Sequence, residues 1–163
     1  MAKGVKKLVD NTRKVFEGIA LLGRLHVSVG IPQDDSKRKE GDAINNASLL
    51  YIHENGAAEV GIPARPTLKP GIKDASKEIV RRLEMAGKAA LDGKPSSVRA
   101  QYAAAGQAGA SAVKRKINSN VGPPLKPGTL AARRRRGLKR TNTLVDTGQM
   151  RNAVTYVVTE DGK

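Results

Sequence analysis

The chain has 163 residues, no cysteine and a formal charge of +15, from 30 Lys+Arg against 15 Asp+Glu. The absence of cysteine excludes a disulfide framework or a thiolate site and is compatible with a reducing compartment. The basic excess favours a polyanionic partner, which is either nucleic acid, an acidic protein surface or a membrane headgroup layer. The excess is uneven, because residues 111–163 hold 12 basic and 3 acidic residues, whereas residues 1–110 hold 18 and 12.

The apolar residues define a small domain with a thin core. No apolar run approaches the roughly 20 residues that a membrane helix requires, so we expect a soluble protein with no membrane contact. Phe16 and three tyrosines are the only aromatic residues, and the core must therefore be built from aliphatic side chains and alanine. We predict a single domain over residues 1–163, with part of its stability supplied by neighbouring subunits.

The first elements are indicated by the spacing of apolar residues. A helical stripe predicts an N-terminal helix within residues 1–23. Alternating apolar and polar residues from Leu25 to Ile31 then predict a strand with one buried face. The uniformly polar run 33–42 predicts a mobile loop, and apolar residues from Ala43 to Tyr51 predict a short helix after it.

A proline-rich run is the segment around which the chain is organised. Residues 60–73 contain Pro63, Pro66 and Pro70, and proline fixes its own φ and disfavours helix at the preceding residue. This run therefore predicts a stiff, extended strap that ends where helical spacing begins, at Gly71 or Lys73.

Two long helices are predicted after the strap. The first runs to about Ala90, and breaker residues between 92 and 97 separate it from a second helix over roughly 98–118. Because the link is short, the two helices should be antiparallel. The second helix is rich in alanine and glycine, which permits close approach of another backbone.

A basic segment follows the second helix. Glycine and proline residues end the helical pattern, and we predict an extended basic arm over residues 122–143. Lys126–Arg140 carries seven positive charges and no carboxylate. Its cations can neutralise phosphates without reading sequence, or bind carboxylates of neighbouring proteins, or form a solvated arm. The candidate contact residues are Arg133, Arg134, Arg135, Arg136, Lys139 and Arg140.

The terminal turn Asp146, Thr147 and Gly148 resembles the catalytic loop of an aspartic protease. Those enzymes need two carboxylates sharing a proton, which a homodimer would supply. Only 17 residues follow Asp146, too few for the rest of such a fold. We favour a capped turn before a terminal strand at 153–158.

Neither an enzyme nor a cofactor is predicted. His53-Glu54 begins like a zinc-binding helix motif, but Ala57 stands where the second histidine would be needed. The fold class predicted from these elements is α+β, with a small antiparallel sheet packed against two long helices, a proline-rich strap and a basic arm.

Three sequence blocks, taken in order, resemble the neck and tail-completion proteins of tailed bacteriophages, also described as virion morphogenesis or head-to-tail joining proteins. The blocks are His53–Gly56 with Ile62–Pro66, then Pro123–Thr129 with the arginine run, and finally Leu144–Thr155. The family usually has Phe after Arg-Pro, whereas this chain has Thr67.

The resemblance implies a structural virion protein without catalytic activity, made in the host cytoplasm. Its subunits would form a homo-oligomeric ring, a hexamer or a dodecamer, between the portal or adaptor proteins and the tail tube or tail terminator. Double-stranded DNA would pass through the ring without sequence recognition. Inter-subunit contacts would involve the strap residues Ile62, Pro63, Arg65, Pro66 and Pro70, and inter-ring contacts would involve the basic arm.

A free nucleic-acid-binding protein of the cytoplasm is the alternative. It would use the same cations to bind DNA or RNA without sequence preference. Assembly into a ring without DNA would favour the neck protein, and tight binding of the isolated subunit to duplex DNA would favour the alternative.

Overall fold

The computed structural model describes residues 10–38 and 44–162. In these residues the chain is mainly helical, with one small sheet. In chain order the elements are α1 (Thr12–Arg24), β1 (Leu25–Gly30), α2 (Asn46–Asn55), a 3-10 turn (Ala58–Val60), α3 (Leu68–Leu91), α4 (Pro95–Asn118), α5 (Pro127–Arg135), α6 (Gln149–Ala153) and β2 (Thr155–Glu160).

Helices α3 and α4 form an antiparallel hairpin, as predicted. Three residues, 92–94, join them. The backbones approach closely at Gly71, where an added Cβ would lie 2.8 Å from the Cα of Val113. A second close approach occurs at Gly109, where a Cβ would lie 3.0 Å from the Ile72 side chain. The small residues of α4 therefore permit close packing within the subunit.

The sheet consists of β1 and β2, which pair antiparallel from Leu25 opposite Glu160 to Gly30 opposite Thr155. It packs on α4 at Gly106, where a Cβ would lie only 2.4 Å from the ring of Tyr156. The predicted small antiparallel sheet packed with helices is confirmed, and it is consistent with the α+β class.

Two apolar clusters stabilise opposite ends of the hairpin. We call the start of α3 and the end of α4, with residues 53–67 and 120–151, the strap end. The opposite end, with α1 and residues 92–94, is the turn end. The strap-end cluster contains Leu50, Val113, Ile117, Leu144, Val145, Met150 and Val154. The turn-end cluster contains Leu21, Leu25, Ala86, Ala90 and Val98.

The strap is shorter than predicted. Residues 63–67 are not helical, in agreement with the prediction for Pro63 and Pro66. Helix α3, however, begins at Leu68, so the prediction that Pro70 belongs to an extended strap is wrong. Pro70 is accommodated because it lies in the first helical turn, where backbone N–H groups have no acceptor within the helix.

The basic arm is not wholly extended, which corrects a second prediction. It contains the helix α5, which begins with Pro127 at its first position. Proline is favoured there because its fixed φ suits a helix and its missing N–H has no intrahelical role.

The other two predicted segments extend beyond the described residues. Residues 33–38 of the predicted mobile loop include a turn, in which the buried Ser36 donates its hydroxyl to the Gln33 carbonyl at 2.6 Å. Residues 39–42 lie outside the described part. The predicted N-terminal helix is observed from Thr12, and residues 1–9 also lie outside it.

Candidate functional site

The three sequence blocks meet at the strap end. The first block begins on α2 and continues into the strap. The second block comprises the segment 123–129 and the arginine run. The third block contains the turn before α6. Polar contacts that span long stretches of sequence join them. We treat this junction and the cations exposed around it as the candidate functional site.

Glu54 fixes the start of α3. Its Oε2 accepts hydrogen bonds from the backbone N–H groups of Thr67 and Leu68 at 2.5 and 2.9 Å, and its Oε1 accepts from Lys69 N–H at 3.2 Å. A helix start leaves such donors without partners, and its dipole favours a negative charge nearby. Glu54 is therefore a cap supplied from another helix. It lies 13 residues before Thr67, so no local motif in the sequence indicates this role.

Gly56 allows the first block to fold back on the strap. Its φ is +78°, and an added Cβ would lie 2.9 Å from the Ala64 nitrogen. Two further contacts hold this fold, a bridge between Ala57 and Ile62 and a hydrogen bond from Arg65 N–H to the His53 carbonyl at 2.6 Å.

Arg65 joins the strap to the second block. Its side chain is buried, and its Nε donates to the Pro123 carbonyl at 2.9 Å while its Nη2 donates to the Pro124 carbonyl at 3.5 Å. Ile62 and Pro63 line a groove of ≈ 430 Å³ between the strap and this block. Three of the five predicted strap residues, Ile62, Pro63 and Arg65, thus line one wall of this groove, whereas Pro66 and Pro70 do not line it. Arg65 acts as an internal clamp.

His53 lies on the same groove and is partly buried. Burial lowers the pKa of its imidazole, and the positive charge of Arg65 lowers this pKa further. The neutral form of His53 is therefore favoured in the folded protein.

Arg133 and Asp146 connect the second and third blocks. Arg133 is buried, and its Nη1 donates to the Asn142 carbonyl at 2.6 Å and to the Arg140 carbonyl at 3.4 Å. Its Nε lies 3.3 Å from Asp146 Oδ1, and Arg136 Nη2 lies 3.0 Å from Asp146 Oδ2. The expectation that Arg133 contacts DNA or a neighbouring ring is not supported by this position, because its donors are used within the subunit.

The other predicted cations are exposed. Arg134, Arg135, Lys139 and Arg140 form no ion pair with any carboxylate of the described residues. Arg136 is exposed but shares Asp146 with Arg133. The segment therefore combines an anchored interior with guanidinium and ammonium groups that have no ion-pair partner within residues 10–38 and 44–162.

The terminal turn positions α6, and its carboxylate, Asp146, forms ion pairs within the subunit. Gly148 has a φ of +87° and precedes the helix as its N-cap, and Thr147 Oγ1 accepts a hydrogen bond from Gln149 N–H at 3.4 Å. The predicted capped turn before the terminal strand is thus observed. Because Asp146 binds two arginines, it is a structural ion-pair partner rather than one of two carboxylates that share a proton.

Further polar contacts at this junction were not indicated by the sequence. Thr143 is buried and donates its hydroxyl to the Val121 carbonyl at 2.7 Å, and no recognisable sequence motif indicates this bond. Its N–H donates to Asn120 Oδ1 at 2.9 Å. These bonds attach the end of the basic segment to the residues that follow α4.

Comparisons with protein-family models, curated proteins and solved structures found no match for this chain. Within residues 10–38 and 44–162, no three or more His, Asp or Glu residues are grouped so that they could hold a metal ion. In the same ranges no helix has the length and apolar character needed to cross a membrane. The observed chemistry is that of a hydrogen-bonded junction that displays cations.

Proposed function

We propose that this chain is a structural virion protein of the phage head-to-tail neck, which forms a ring around the DNA channel and couples the capsid connector to the tail. The observation that supports this proposal best is the convergence of the three family-like blocks on one junction surrounded by exposed cations. The blocks are distant in sequence, yet each contributes a residue that anchors another.

The junction offers two features that suit an assembly contact. The groove beside Ile62 and Pro63 lies between walls that Arg65 joins by hydrogen bonds and that Gly56 brings together. The exposed guanidinium groups of Arg134, Arg135 and Arg140 match carboxylates geometrically. The proposed partners are other copies of the subunit, acidic faces of the portal or adaptor proteins, and the tail tube or tail terminator.

The closing experiment replaces only the exposed arginines. A combined Arg134→Gln, Arg135→Gln and Arg140→Gln variant removes three charges and leaves Arg133 in place. The control variant Arg13→Gln, Lys14→Gln and Lys88→Gln removes three exposed charges elsewhere. Each variant would be supplied to a phage that lacks this protein, and the yield of infectious particles would be counted.

We expect the arginine variant to lower the infectious yield at least tenfold and the control variant to leave it nearly unchanged. Equal yields from both variants would contradict a joining role for these arginines. Finding the protein absent from purified particles, or as a monomer in them, would contradict the neck proposal as a whole.

The same exposed cations support a second candidate, a nucleic-acid-binding protein free in the cytoplasm. This candidate predicts that the protein is absent from purified particles and that the isolated subunit binds short duplex DNA tightly at physiological salt. Native mass spectrometry of the nucleic-acid-free protein distinguishes the two, because the neck proposal expects a hexameric or dodecameric ring.

A further inference from the structure

Helix α3 carries a row of lysines apart from the basic segment. Lys69, Lys73 and Lys77 are all exposed and are spaced by four residues, which is about one helical turn. The row covers roughly 12 Å along the helix, at 1.5 Å per residue. It ends before Arg81, whose guanidinium is bound by Glu78.

The carboxylates near this row bind groups other than its three lysines. Asp74 pairs with Lys116 of α4 at 3.6 Å, and Glu78 pairs with Arg81 and Arg82 at 2.8 and 2.7 Å. The cap residue Glu54 contacts backbone N–H groups. In the described part of the chain, no carboxylate lies within ion-pair distance of the three lysine ammonium groups, so their charge is not neutralised internally.

The row has a rigid base. The opposite face of α3 is buried through Gly71 and Ala75, and Gly71 touches the backbone of α4. The Glu54 cap also fixes the start of this helix. The Cα atoms of the three lysines therefore keep a fixed spacing, while their side chains remain flexible.

We propose that the row Lys69, Lys73 and Lys77 contacts the phosphate backbone of double-stranded DNA. A length of roughly 12 Å spans about three to four phosphates of one strand, which are about 3.4 Å apart along the axis. Lysine is a hydrated point charge without the fixed fork of arginine, so it attracts phosphates without gripping one geometry. Such contacts suit a duplex that must move past the protein.

This assignment divides the cations of the strap end between two proposed partners. The lysines of α3 contact DNA phosphates, and the exposed arginines of the basic segment contact carboxylates of proteins. The assignment rests on the proposed function, because a neck ring encloses duplex DNA, but it concerns a separate surface and can be tested alone.

The experiment measures binding of the purified protein to a 20-base-pair duplex of random sequence by fluorescence anisotropy, between 50 and 200 mM NaCl. The test variant is Lys69→Gln, Lys73→Gln and Lys77→Gln. The matched control is Arg13→Gln, Lys14→Gln and Lys88→Gln, which makes the same charge change with exposed cations of the turn end. Circular dichroism and native mass spectrometry verify folding and ring formation of each protein.

Each phosphate contact contributes about 0.9 to the magnitude of the slope of log affinity against log salt concentration. The loss of three contacts therefore reduces this magnitude by up to about 2.7. The affinity difference between wild type and test variant should therefore change by roughly 40-fold over this salt range. The control variant should keep a slope within about 1 of the wild type.

Three outcomes would overturn the inference: an unchanged slope in the test variant, an equal loss of slope in the control variant, or an equal loss of binding to polyglutamate, which would assign the row to acidic proteins. The neck proposal fails on a different result, the absence of rings, which native mass spectrometry reports whatever the DNA affinity.

Discussion

The two ends of the α3–α4 hairpin are stabilised by different interactions. At the turn end, α1 packs on the hairpin through apolar side chains, and its backbone approaches α3 closely where Gly18 meets Ala90. At the strap end an apolar cluster is also present, but buried Arg65 and Arg133 and the cap residue Glu54 join separate segments.

The comparison shows that buried arginines link separate segments at the strap end, whereas the ion pairs of the turn end, from Glu160 to Arg24 and Arg99, use half-exposed arginines. Apolar packing is sensitive to changes of volume, because a close-packed interior has little free space. Buried hydrogen-bonded ions are sensitive to the loss of a partner, since removing one group leaves another unsatisfied. Point substitutions of each kind should therefore separate the two ends.

The largest effect is expected from Arg133→Met, which keeps much of the side-chain volume but removes all its donors. The carbonyls of Arg140 and Asn142 lose a partner, and Asp146 keeps only Arg136. We expect a loss of about 3 kcal/mol in the free energy of unfolding, measured by urea denaturation. The exposed neighbour provides the control, because Arg134→Met should change this free energy by less than about 0.5 kcal/mol.

Gly18→Ala tests the turn end. The new Cβ would lie 2.8 Å from the Cα of Ala90, so the helices must separate. We expect a loss of about 2 kcal/mol by the same measurement. Gly87→Ala is the matched control on α3, where a Cβ meets nothing within 4 Å, and it should instead stabilise by up to about 1 kcal/mol. Destabilisation by both would contradict the close approach.

Glu54→Gln tests the cap with a nearly isosteric change. It removes the charge and replaces one acceptor oxygen with a donor, so at least one backbone N–H of α3 loses its partner. We expect a loss of about 1 kcal/mol, and the α3 amides near Leu68 should exchange with solvent faster. Glu59→Gln, at an exposed site nearby, should have an effect below about 0.5 kcal/mol.

The smallest effect is a pH dependence at the strap end. Because the pKa of His53 is lower in the folded protein than in the unfolded chain, the unfolded chain binds more protons just below the ordinary value near 6.5. His53 therefore contributes stability that is fully present above about pH 6.5 and is lost as pH falls through the folded pKa.

His53→Gln should remove this part of the decline in stability between pH 7 and pH 5, as measured by thermal unfolding at each pH. The control variant His26→Gln keeps His53 and should therefore retain the decline in stability that His53 causes. A decline that is the same in the wild type and in both variants would show that His53 does not contribute to the pH dependence.

The predicted elements follow from local patterns. Apolar alternation indicated β1, and helical spacing with breaker residues indicated α3, α4 and their short link. These features depend on residues close in sequence, so one segment suffices to recognise each of them. The helix α5 was missed although proline is favoured at the first position of a helix, the position that Pro127 occupies.

The candidate site could be predicted only in part. Arg134 and Arg135 are exposed as expected of contact residues, but Arg133, in the same run, is buried. Nothing in four consecutive arginines distinguishes the one that turns inward, because its partners are carbonyls and a carboxylate supplied by later residues. The start of α3 was missed for a related reason, since the bias of Pro70 against helix is offset by a carboxylate 13 residues before the cap position.

The thin attachment of the basic segment has a consequence for its dynamics. Between residues 122 and 142, Arg133 is the only buried residue. The segment can therefore detach by breaking a few polar bonds while the hairpin stays folded, so its amide protons should exchange through local opening and those of α4 through global unfolding. An acidic partner bound to the arginines would slow exchange in α5 alone, which makes this helix an internal reporter of docking.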